Sequence, residues 1–146
     1  MMAVPKISRR LTFCAGHRVV GHEGKCRNLH GHNYVVYVKA RAQQLDSVGR
    51  VIDFSVLKEK VGGWINERWD HKFVLWQEDE VGIEAVRRGN GATVDAVFLL
   101  PSNPTAENLA TYLLHVVCPS VLYGTGVEVF RVIVEETENC SAEACL

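Results

Sequence analysis

From His32 to Ala42 the chain reads HNYVVYVKARA, with Tyr34, Val36, Val38 and Ala40 on one parity and Lys39 and Arg41 on the other. Side chains of an extended chain alternate, so the pattern requires a β-strand with one face covered and one face in water. His30 and His32 continue the apolar parity. Two imidazoles are thus placed at the end of a face that must be buried, and this limits both the fold and the chemistry open to the chain.

The stretch Ile7 to His17 repeats the pattern, with Leu11, Phe13, Ala15 and His17 on one face of a second strand. Asp53 to Trp69 has helical spacing through Phe54, Leu57, Val61, Trp64, Ile65 and Arg68, and Asp53 or Ser55 can cap its start. The Gly62-Gly63 pair weakens that helix, since each glycine costs about 1 kcal/mol relative to alanine. The charged stretch Gln77 to Gly91 has room for a short helix, and Thr93 to Leu100 reads as a strand.

Asn103-Pro104-Thr105 opens another helix, with Thr105 as cap, Glu107 at the positive end of the dipole and Leu109, Leu113, Leu114 and Val117 as its buried stripe. Pro119 is expected to stop it. Alternation returns from Val127 to Thr137, placing Phe130, Val132, Val134 and Glu136 on one face, and a last short strand fits Ser141 to Leu146. The order of elements predicts an α+β layer, an antiparallel four-stranded sheet with two helices on one face, in a single domain over residues 1–146.

Composition narrows the function. A chain of 146 residues with 47% hydrophobic and 23% charged side chains has the make-up of a globular protein, and no apolar run is long enough to span a bilayer. The first ten residues carry no secretory pattern and the five cysteines are irregularly spaced, so reduced thiols and a cytoplasmic location are expected. A net charge of −1 supplies no basic field for a phosphate backbone, which argues against nucleic acid and, with the lack of a span, against a membrane as partner.

His30-Gly31-His32 lets two imidazoles converge on one ion, and His17, ending another apolar face, is a third candidate. Three nitrogen ligands with an open fourth position describe a catalytic zinc site, whereas the same triplet without a metal would be an ordinary strand edge. Cys26, four residues before His30 and flanked by Lys25 and Arg27, has two readings. It is either a fourth ligand that closes a structural centre or a free thiol whose anion the neighbouring charges favour. His22, in a glycine-flanked loop, and His115, on a helix already explained by packing, are assigned no role.

Six blocks in order carry a resemblance: Phe13-Cys14-Ala15-Gly16-His17, Cys26 through Tyr34, Asp53-Phe54, Asp70-His71, Pro104 through Asn108 and Glu135-Glu136-Thr137. Together they resemble the 6-pyruvoyltetrahydropterin synthase family over nearly the whole chain. The three residues between Cys26 and His30 look like its 6-carboxytetrahydropterin synthase branch, of queuosine biosynthesis. That resemblance implies a tunnelling fold whose sheets join into an oligomeric β-barrel, a hexamer built as a dimer of trimers. It also implies a Zn2+ lyase that converts 7,8-dihydroneopterin triphosphate to 6-carboxy-5,6,7,8-tetrahydropterin, releasing acetaldehyde and triphosphate.

Carried over residue by residue, the resemblance makes His17, His30 and His32 the metal ligands, Cys26 with Asp70 and His71 the catalytic groups, and Glu136 the anchor of the pterin ring. Thr105 is a candidate substrate contact, and Lys25 and Arg27 are candidates for the triphosphate by charge alone. Asp70 and His71, as neighbours, must sit in a bend after the helix if both are to serve one site, since adjacent residues on a strand point apart. Two alternatives share the residues: a pyruvoyl-forming or sepiapterin-processing enzyme, and a non-catalytic zinc domain that uses Cys26 as a ligand. Trp69 stands where relatives carry a smaller aliphatic residue and Gln77 to Pro101 is longer than in the shortest of them, so both bear on the shape of the pocket.

Overall fold

The protein is described by a computed structural model covering residues 2–90 and 95–146. Strands β1 (Ile7–His17) and β2 (His30–Ala42) form an antiparallel pair, and β5 (Val127–Thr137) and β6 (Cys140–Cys145) extend the ladder antiparallel on the side of β2. On the other side, β3 (Lys72–Trp76) and β4 (Val97–Leu100) add parallel neighbours. The sheet is therefore six-stranded and mixed, in the order β4-β3-β1-β2-β5-β6, which corrects the expected four antiparallel strands.

The physical reason lies in β3. Val74 and Leu75 are both buried, one in each hydrophobic cluster, so the strand is covered on both faces and shows no alternation to read. The strand expected from Thr93 begins at Val97; positions 93 and 94 lie outside the described residues.

Helix α1 is continuous over 54–68, through Phe54–Leu57, a wide π-type turn at Lys58–Gly62 and Gly63–Arg68. Asp53 caps it by accepting the Ser55 N–H at 2.8 Å. The glycine pair does not break it. A Cβ at Gly62 would lie 3.0 Å from Leu11, so the bare backbone lets α1 settle on β1. Helix α2 (Glu80–Asn90) bridges β3 to the parallel β4.

Helix α3 spans 106–121, through Ala106–Tyr112, a π-type segment Leu113–Val117 and Cys118–Val121. Pro119 thus does not stop it. The Cys118 N–H reaches back to the Leu113 carbonyl, and the widened turn precedes the proline, whose ring would otherwise press on a carbonyl four residues earlier.

Helices α1 and α3 cover one face of the sheet. Leu57, Val61, Ile65, Leu109, Leu113 and Val117 pack there with Leu11, Phe13, Val36, Val38 and Val132. Helix α2 takes the opposite face, where Val86 packs with Leu75 and Val97, so the two-helix, one-face expectation holds only for α1 and α3. Trp69 is fully buried among Phe13, Trp64, Phe98 and Tyr112. It therefore fills the core.

A register shift opposite Lys39/Ala40 changes one further expectation. Both Val129 and Val132 are buried, and Phe130 between them lies against Lys6 and Arg41, 5.1 and 5.2 Å from its ring. The bulge takes Phe130 out of the stripe that Val132, Val134 and Glu136 share. No helix among the described residues is long and apolar enough to cross a membrane.

Candidate metal centre and flanking pocket

The β1–β2 register sets His17 opposite His30 and Ala15 opposite His32, so all three imidazoles leave the core face at one end of the pair. Their ligand atoms lie within 4.8 Å of one another, and among the described residues no other group of three or more does this. His17 Nε2 and His30 Nε2 are 3.1 Å apart.

The outer nitrogens explain why the inner ones converge. His17 Nδ1–H donates to the Pro104 carbonyl at 2.7 Å and His30 Nδ1–H to the Asn28 carbonyl at 2.6 Å. A carbonyl only accepts, so each bond puts the proton on Nδ1 and turns the Nε2 lone pair inward, the usual support for a metal-binding imidazole. His32 Nε2 is buried without a hydrogen-bond partner, which a cation would supply. His17, 2% exposed, has its pKa lowered to about 4, chiefly by burial, and burial lowers that of His32 too. Neutral imidazoles are the form that binds a metal, and the donor set fits a three-nitrogen site of the kind zinc takes.

Glu136 comes next to this point. Its two oxygens lie 4.0 Å from His17 Nε2 and from His32 Nε2, and among the described residues they accept no hydrogen bond. The carboxylate also borders a cavity of about 360 Å³, lined by Ala106 and Glu107 at the start of α3 and by residues 140–143.

Asp70 and His71 lie in the turn between α1 and β3, as their adjacency requires. His71 takes a positive φ of 60°, which brings its Nδ1 to 2.8 Å from Asp70 Oδ2. Asp70 Oδ1 accepts the Cys14 N–H at 2.9 Å, and the Cys14 carbonyl accepts the His71 N–H at 2.6 Å. Burial alone would raise the Asp70 pKa, but the Cys14 N–H and His71 hold it below the usual carboxylate value. The His71 side chain is 81% exposed and lines a concavity of about 440 Å³ with Cys14, His30, His32, Asn33 and Phe73. Gly16 and Gly31 face each other beneath it, and a Cβ on Gly16 would enter the Phe73 ring.

Cys26 is half-buried in a single 3-10 turn, Lys25–Arg27, and its sulfur does not join the three imidazoles. Lys25 and Arg27 flank it on that turn. Thr105 caps α3, its Oγ1 accepting the Asn108 N–H at 3.2 Å. His22 Nδ1 accepts the Gly24 N–H within its loop.

Sequence reasoning missed Arg18, Asp79, Asn103 and Asn108. Arg18 makes a two-point ion pair with Asp79, 5% exposed, which also accepts the Gly82 N–H at 3.0 Å near the start of α2. Asn103 opens the helix and Asn108 ends the Pro104–Asn108 block, but no local pattern marks the Arg18–Asp79 pair, 61 positions apart, or the contact of Asn103 with Val20 across 83.

The hydrogen bond from Arg18 lowers the Asp79 pKa and outweighs the burial that would raise it. A depressed carboxylate contributes stability above its unfolded pKa of about 3.9 and loses it as pH falls through the folded value. Asp79→Asn is therefore expected to cost about 3 kcal/mol at pH 7, since it strands Arg18. The gap between wild type and variant should close as denaturation is repeated below about pH 4. A gap independent of pH would contradict the ion-pair account.

Comparison with known proteins places these features. A family model described as 6-pyruvoyl tetrahydropterin synthase matches residues 6–145. A protein of Rickettsia felis named 6-carboxy-5,6,7,8-tetrahydropterin synthase is 38% identical over 138 residues, which cover 94% of this chain and 98% of that one. One of the same name from Haemophilus influenzae is 35% identical over 118 residues, 75% of this chain and 79% of the other. Among solved structures, an uncharacterized protein from Wolinella succinogenes superposes with a TM-score of 0.81 at 25% identity, covering 99% of both chains. The 6-pyruvoyl tetrahydropterin synthase of Plasmodium falciparum gives 0.69 at 26% identity, covering 96% of both.

Proposed function

Because the chain belongs to the 6-pyruvoyl tetrahydropterin synthase family, we propose that it is a zinc lyase converting 7,8-dihydroneopterin triphosphate to 6-carboxy-5,6,7,8-tetrahydropterin, with release of acetaldehyde and triphosphate. The observation that carries this reading is the convergence of three Nε2 atoms, two of them oriented by backbone carbonyls, beside a carboxylate that opens on a cavity. His17, His30 and His32 hold the zinc. Bound there, the metal supplies a Lewis acid that lowers the pKa of substrate hydroxyls.

Glu136 anchors the pterin, accepting its amino and ring N–H groups in place of the partners it lacks. Thr105, at the mouth of the same cavity's helix, is a secondary contact, and Lys25 and Arg27 attract the triphosphate. Cys26 transfers one proton as a thiol/thiolate, and His71, kept oriented by Asp70, transfers the other.

The exposure of His71 supports an arrangement in which Asp70 and His71 face a second copy of the chain. The domain of residues 1–146 then works in the cytoplasm as a hexamer of two trimers, its sheets closed into a barrel that removes their open edges.

The test is incubation of zinc-loaded protein with dihydroneopterin triphosphate. Acetaldehyde and triphosphate are expected in equal amounts; triphosphate without acetaldehyde would assign the pyruvoyl-forming reaction instead. Cys26→Ala should lose about 10²- to 10⁴-fold in turnover, the usual worth of a positioned acid/base, while its zinc content stays unchanged. If that variant loses a sulfur signal from the zinc spectrum, Cys26 is a ligand and the catalytic reading fails.

A further inference from the structure

We infer that Asn103 is a positioning residue that locks the loop carrying Cys26 to the peptide that orients His17. This rests on the roles given to His17 and Cys26 above. The Asn103 side chain pairs with the main chain of Val20 as a neighbouring strand would. Its Oδ1 accepts the Val20 N–H at 3.0 Å and its Nδ2 donates to the Val20 carbonyl at 2.8 Å. Since Val20 N–H can only donate and its carbonyl only accept, the amide has one consistent orientation. One residue earlier, the Val19 N–H donates to the Cys26 carbonyl at 2.8 Å, closing the loop onto the thiol-bearing turn.

The main chain of the same residue holds the other end. The Asn103 carbonyl accepts from Asn108 Nδ2 at 2.9 Å and from the Thr105 N–H at 2.8 Å. That N–H and the Pro104 carbonyl belong to one planar peptide, so fixing the first aims the second. The Pro104 carbonyl is the acceptor for His17 Nδ1–H at 2.7 Å. One residue, through its side chain and its carbonyl, thus ties the loop carrying the thiol to the direction of a ligand lone pair across 83 residues of sequence.

Asn108 supports this from the first turn of α3, and Arg18, bound to Asp79, pins the strand end between His17 and the loop. Two acid/base and ligand groups must keep their spacing during turnover, and a misplacement on the order of 1 Å costs about a hundredfold in rate.

Asn103→Asp keeps the acceptor and removes the donor to Val20. In the zinc-loaded variant, mass spectrometry should find iodoacetamide labelling of Cys26 about fivefold faster than in wild type, because the loop opens more often. Zinc release to a chelator should quicken about tenfold, the usual effect of losing outer-shell support. Turnover should fall about tenfold to a hundredfold with KM within about twofold.

Thr125→Val removes two turn bonds remote from the site and provides a destabilised control that should leave Cys26 labelling unchanged. Where Asn103→Asp fails to fold, Asn108→Ala, which removes only the donor to the Asn103 carbonyl, should give the same pattern more weakly. Unchanged labelling and zinc release in these variants, or an equal rise in Thr125→Val, would overturn the proposal. Labelling and zinc release need no turnover, so a wild-type protein that forms no acetaldehyde would sink the assigned reaction without deciding this one.

Discussion

Replacing His30 with alanine is expected to leave a folded protein that no longer holds one zinc per chain and turns over at least about a thousandfold more slowly. Three nitrogens converge at this site, and among the described residues no fourth group lies within 4.8 Å of all three, so removing one leaves two and opens the centre to water. A thousandfold corresponds to about 4 kcal/mol of the barrier, well within what a Lewis acid supplies. His30 is only partly buried and outside the hydrophobic clusters, so the metal-free variant should melt close to the metal-free wild type. Metal analysis, an acetaldehyde assay and thermal denaturation on one preparation check all three statements. Retention of stoichiometric zinc together with activity within tenfold of wild type would remove His30 from the ligand set.

Trp69→Ala is expected to produce the largest loss of stability from a single change. The side chain is fully buried, with ring centroids 5.3 Å from Trp64, 5.5 Å from Phe13, 6.0 Å from Phe98 and 6.2 Å from Tyr112. Truncating a buried aromatic costs about 3–5 kcal/mol, against a total stability for a domain of about 5–15 kcal/mol. A fall in melting temperature of about 10 °C or more follows at this chain length.

Activity should fall as well, because the turn presenting Asp70 and His71 hangs on this residue. The Asp70 N–H bonds to the Ile65 carbonyl and the Lys72 N–H to the Trp69 carbonyl. Trp69→Phe should cost far less, since the indole nitrogen has no hydrogen-bond partner to lose. Melting of Trp69→Ala within 2 °C of wild type would contradict the packing described.

The legible parts of the fold share a cause. β1, β2, β5 and β6 are half-covered strands, so alternation exposes them, and α1 and α3 carry one apolar stripe each. β3 is covered on both faces and leaves no period to read, whereas the short helix expected within the charged stretch is α2. Phe130 fits the alternation and still leaves the stripe, because a bulge belongs to the pairing with β2 rather than to β5 itself. Pro119 sits inside a helix because a wide turn ahead of it makes room.

The site divides along the same line. The identity of the three imidazoles and their common parity are local facts, and so is the adjacency that forces Asp70 and His71 into a bend. The direction of the His17 Nε2 depends on the Pro104 carbonyl, the place of Glu136 on the register of β5 against β2, and the hold on Cys26 on Asn103. Periodicity and residue type travel with the sequence because they come from a backbone that alternates or turns regularly. Hydrogen-bond partners 83 or 87 residues apart meet only once the sheet and α3 have packed, so the tuning of the centre was left to the tertiary structure.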